Sequence, residues 1–102
     1  MNVESDDPVH ATQRQLLPLF HELERILARD QDGDASAFFG EIRRWIECAV
    51  RTEDLMGPFM QLATTAFRGF DFAPDAHAVV DRILEAAQTL SFTLSAEQKI
   101  SH

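Results

Sequence analysis

Four histidines, one cysteine and a scatter of carboxylates are the side chains of this 102-residue sequence with the chemistry for catalysis or metal binding. The histidines are His10, His21, His77 and His102. His77 has Asp81 four residues on, so on a helix the two share a face. Two groups at that spacing supply half of a metal site, and no other half is visible. The pair reads as a surface hydrogen bond. His21 has Arg25 at the same spacing, which disfavours a cation nearby. A catalytic histidine needs a nucleophile or an orienting acid beside it, and neither can be named. Cys48 falls near Arg44 on a helical wheel, where an arginine would stabilise a thiolate; a small residue at the edge of an apolar face is the commoner use. There is no phosphate loop, nucleophile elbow or carboxylate pair, so neither an enzyme nor a cofactor is expected.

The densest run of oxygen ligands is Asp30-Gln31-Asp32-Gly33-Asp34-Ala35-Ser36-Ala37-Phe38-Phe39-Gly40-Glu41. Carboxylates at the first, third and fifth positions and a glutamate at the twelfth are what a hard cation needs to replace its water shell. The stretch resembles an EF-hand calcium loop. That resemblance implies Asp30, Asp32, Asp34, Ser36 and Glu41 as calcium ligands, and a calcium-responsive module as the alternative function. The sequence departs from the family at Ala35, where a glycine makes the sharp turn, and at Ala37, where a branched apolar residue is usual. The likeness covers only this stretch, and no second loop is present to pair with it. The favoured reading is an Asp-rich connector without metal, in which Asp34 caps the following helix and Glu41 lies inside it.

Helices must position these residues. Apolar side chains recur with a period near 3.6 almost throughout, and no stretch alternates as a strand would. Asp7 is placed to N-cap a first helix, with Pro8 in its first turn and Val9, Leu16, Leu19, Phe20, Leu23, Ile26 and Leu27 on one face. Pro18 removes the hydrogen bond back to residue 14, and a kink is expected there. A second helix runs from about Ala35 to Arg51, with Phe38, Phe39, Ile42, Trp45, Ile46, Ala49 and Val50 on a broad apolar arc and Glu47 set to pair with Arg51. Residues 52–57 either break the pattern or add a first turn to the third helix. Pro58 begins that helix, which runs to about Arg68 and is closed by Gly69 as its C-cap. Asp71-Phe72-Ala73-Pro74 opens a fourth helix to Leu94. Four helices with short connections predict an all-α fold, an antiparallel four-helix bundle. It forms one domain over residues 8–94, with flexible tails at 1–7 and 95–102.

Charge narrows the partners. Hydrophobic residues make up 45% and charged residues 25%, the balance of one globular domain. Nine basic residues against seventeen acidic ones leave a net charge of −8, which repels a phosphate backbone. The densest basic pair, Arg43–Arg44, is flanked by Glu41 and Glu47, so no direct nucleic-acid binding is expected. A single cysteine excludes a disulfide framework within the chain. The acidic N-terminus lacks the apolar stretch of a secretory signal, and no apolar run approaches the ~20 residues that span a bilayer. A cytoplasmic location without membrane contact is the expectation.

The apolar surplus is the strongest lead. Residues 58–67 contain no charged side chain, although the chain as a whole is a quarter charged. Phe59, Met60 and Phe67 fall on one arc of that helix, Phe70 and Phe72 crowd the turn after it, and Phe92 falls on the polar side of the fourth helix. A small bundle has limited interior for eight phenylalanines, and contiguous apolar patches mark interfaces. These six residues are therefore the expected partner-binding set. The expected function is a non-catalytic helical interaction module, such as an adaptor, secretion chaperone, assembly factor or regulatory subunit. It would form a homodimer through the uncharged helix and the Phe-rich turn.

Overall fold

The structure is a computed structural model that describes residues 7–65 and 68–100, with residues 95–100 by their backbone alone. Among these residues all regular structure is helical: α1 (Pro8–Arg29), α2 (Gly33–Glu47), a 3₁₀ turn (Thr52–Leu55), α3 (Met56–Ala63) and α4 (Pro74–Ile100). The all-α expectation holds. No described helix is long and apolar enough to cross a membrane.

Caps set the boundaries. The Asp7 carboxylate accepts from the Val9 N–H at 3.3 Å and Pro8 opens α1. The helix then runs as one element through Pro18. Pro18 and Arg14 are both exposed, so the carbonyl that the proline leaves without a partner belongs to the solvent side. The N-cap of α2 is Asp32, not Asp34: its carboxylate accepts from the Ala35 N–H at 3.2 Å, and α2 starts at Gly33. It also stops at Glu47, four residues before the expected end. Beyond it the Asp54 carboxylate accepts from the N–H groups of Val50 and Arg51, both at 3.0 Å, and draws the chain into the 3₁₀ turn. The expected Glu47–Arg51 pair is therefore absent. Glu47 pairs with Arg43 at 2.9 Å, and Arg51 with Glu53 at 3.3 Å.

α3 is shorter than its apolar run suggests. Thr64 donates both its N–H (3.0 Å) and its hydroxyl (2.7 Å) to the Gln61 carbonyl, closing the last turn. Gly69, with φ of 75°, serves the turn that delivers Phe70 and does not cap α3. α4 continues to Ile100, past the Leu94 end read from its apolar face.

The four helices form a ring in which α1 packs on α2 and α4, and α3 touches α2 and α4. Across the diagonals, α1 to α3 and α2 to α4, the described backbones do not come within 8 Å. The core fills the centre: Leu16, Phe20 and Leu23 of α1 meet Phe39 and Ile42 of α2, Leu62 of α3 and Ile83 of α4, all essentially buried. The Phe20 and Phe39 rings lie 6.4 Å apart, and each is worth about 2–3 kcal/mol of burial. A smaller cluster joins Val9, Ala49 and Leu55 to Phe59 and Leu94. A polar seam ties α1 to α2 on the outside: Arg43 pairs with Glu24, and Gln13 donates to the Ile46 carbonyl at 3.0 Å.

Candidate functional site

Helix α3 reads Met56-Gly-Pro-Phe-Met-Gln-Leu-Ala63 and carries no charge. Pro58 and Leu62 point into the core, and Phe59 and Gln61 are half-buried at its edges. Met56 and Met60, one turn apart, are 60% and 63% exposed and form a ridge along the outer face. On the α2 side the ridge continues into Trp45, which is 42% exposed. A methyl group at Gly57 would stand 3.9 Å from the Trp45 ring, so the indole rests against that glycine.

On the α4 side the ridge drops into an open groove of about 860 Å³. One wall is Phe59, Leu62 and Ala63; the other runs along α4 from Leu84 to Thr93 and includes Ala87, Gln88 and Phe92. Phe92 is 78% exposed, and Glu85 is the one charged group among the lining residues. α4 extends for about 40 Å and α3 for about 12 Å, at ~1.5 Å per residue, so α3 leaves much of the α4 flank uncovered.

Charge is distributed unevenly around this surface. The exposed residues of α1, across the ring from α3, include His10, Arg14, His21, Arg25 and Arg29 and no carboxylate. Exposed carboxylates lie on α2, the 3₁₀ turn and α4, among them Glu41, Glu47, Asp54, Asp75, Asp81 and Glu85. Two of these are held below the usual carboxylate range. The Arg29 guanidinium, 2.9 Å away, does this for Asp75, and the backbone N–H groups of Arg51 and Val50 do it for Asp54.

The expected contact residues divide. Met60 and Phe92 are exposed at the ridge and the groove, and Phe59 lines the groove while packing on both clusters. Phe70 and Phe72 are instead half-buried against the core. Phe70 stacks 5.4 Å from Phe38 and 6.0 Å from Phe39, Phe72 lies 6.0 Å from Phe39, and Arg68 covers Phe38 at 4.7 Å. Phe67 lies outside the described residues. Trp45 and Met56 join the surface although the sequence put one on a broad apolar arc and the other in a segment read either as a break or as a first turn of the third helix. Two signals pointed to them: the tryptophan at the edge of its arc, and the glycine at position 57.

The five calcium-ligand candidates are not gathered into a site. Asp30 pairs with Arg29, Asp32 is the N-cap, Asp34 is in the first turn of α2, and Ser36 and Glu41 lie within that helix. Among the described residues no three His, Cys, Asp or Glu side chains are placed to hold a metal ion. His77 and Asp81 meet at 3.3 Å as their spacing predicts, both exposed; His21 approaches Glu47 at 3.8 Å, and Cys48 is exposed at the end of α2. Compared with protein-family models, curated proteins and solved structures, the chain matches none.

Proposed function

We propose that this chain is a non-catalytic protein–protein interaction module that self-associates through the outer face of α3 and the groove beside it. One observation carries the reading: four large apolar side chains, Trp45, Met56, Met60 and Phe92, stand exposed around an uncharged helix and an open groove. An adaptor, secretion chaperone, assembly factor or regulatory subunit would use such a surface. Its apolar centre supplies affinity, and the surrounding carboxylates select the partner. With a net charge of −8 the partners are proteins and not nucleic acids, and an exposed cysteine suits a reducing, cytoplasmic setting. The scaffold in this reading is an antiparallel bundle in which α1 runs against both α2 and α4. Arg29 meets Asp75 at one end, and Val9 clusters with Leu94 at the other. α1 is kinked at Pro18.

Light scattering after size exclusion, over a roughly hundredfold range of protein concentration, tests the proposal. The expected result is a dimer that Met60→Glu and Phe92→Glu each convert to a folded monomer. A wild-type chain that is monomeric across the range would overturn it.

A further inference from the structure

Resting on that reading of self-association, we propose that the α3–α4 groove is filled by the Met56–Met60 ridge of a second copy, in a two-fold dimer where each ridge enters the other's groove. An isologous interface needs a surface complementary to itself: a projection and a matching recess side by side on one face. Here the ridge and the groove run along the same short helix, one on its outer face and the other at its α4 edge. A two-fold axis between them brings ridge onto groove twice.

The dimensions agree. α3, eight residues long, extends for about 12 Å, and the α4 wall from Leu84 to Thr93 for about 15 Å. The partner's helix therefore lies along the recess without overhang. Methionine suits the projecting role, because its unbranched side chain adapts to an irregular recess.

Charge permits a second copy at this face. Two chains of −8 repel wherever their carboxylates face each other, and the α3 face and groove bring a single charged lining residue, Glu85, to the contact. A stable dimer buries about 800 Å² per partner. That is roughly an eighth of this chain's 6604 Å² surface.

Cross-type disulfide trapping tests the arrangement. Two chains, both carrying Cys48→Ser, are co-expressed: one has Met60→Cys on the ridge, and the other has Gln88→Cys on the groove wall with a size tag. Both positions are exposed, so neither change removes core contacts. The expected result is a mixed-mass disulfide dimer that forms at least about tenfold faster than with Arg25→Cys on α1 replacing Met60→Cys. A chain that is dimeric by light scattering but crosslinks no faster than this control would overturn the ridge-in-groove arrangement and leave self-association standing. A chain that is monomeric throughout would overturn both.

Discussion

Gln31 adopts φ of 58°, the one non-glycine residue among those described in the left-handed region. It occupies the position after the C-cap of α1. There the Asp32 N–H donates to the Leu27 carbonyl at 3.0 Å and the Gln31 N–H to that of Ala28 at 3.2 Å. This closure usually employs glycine, since a side chain in that conformation crowds the next carbonyl. Gln31→Gly is therefore expected to raise stability by about 0.5–1 kcal/mol, seen as a higher urea midpoint with an unchanged slope. A lower midpoint would mean that the glutamine side chain contributes more than its backbone costs. The same short segment carries the first residues of the calcium-like pattern. Its aspartates are local devices, one pairing with Arg29 and one capping α2, and the helix begins too early for Glu41 to turn back.

Among the elements, the start of α4 has the clearest electrostatic design. Pro74 opens it, and the Asp75 carboxylate accepts from the Ala76 N–H and from Arg29, both at 2.9 Å, fastening the end of α1 to the start of α4. The arginine holds the Asp75 carboxyl below its ordinary value in the folded chain. The unfolded chain therefore takes up the proton first as pH falls below about 4, and the stabilisation present at neutral pH is lost as pH drops through the folded value. Asp75→Asn is expected to melt below wild type at neutral pH, with the gap narrowing as both are titrated from about pH 7 to pH 3. A gap constant across that range would rule out the ion pair as its source. α3 shows the opposite economy. It has neither a side-chain N-cap nor a charged residue and is held by Pro58 and Leu62 inside and Trp45 alongside, so packing and not capping maintains it.

For the molecule as a whole, the described phenylalanines and methionines settle into two populations. Phe20, Phe39, Phe70 and Phe72 form a chain of rings at 5.6–6.4 Å spacing that carries the core from α1 through α2 to the loop before α4. Phe70→Ser is therefore expected to cost about 2 kcal/mol of stability, read from urea unfolding, and to leave the association of the remaining folded protein unchanged. Loss of association at unchanged stability would instead return the turn to the interface that the sequence suggested. Phe92 belongs to the other population, with Met56 and Met60: it contributes little to the monomer's interior and stands where another chain can cover it.

The helical periods, the Asp7–Pro8 start, the Pro74 start and the core positions of α1 were legible in the sequence. They depend on local hydrogen bonding and on a repeat of 3.6 residues, both written along the chain. The placement of Asp32 as cap, the arrest of α2 at Glu47 and the shortness of α3 were harder to read. Each turns on which of several nearby polar groups reaches a backbone N–H or carbonyl first. The division of the apolar surplus into core and surface was decided only by tertiary structure. Phe70 and Phe92 are the same residue type in similar polar company, and one is covered because the turn after α3 folds it onto Phe38 and Phe39. The other stands clear on the α4 wall of the groove, where no described side chain covers it. A sequence states how many apolar groups must be buried, but which ones the chain itself covers depends on how far each element reaches across its neighbours.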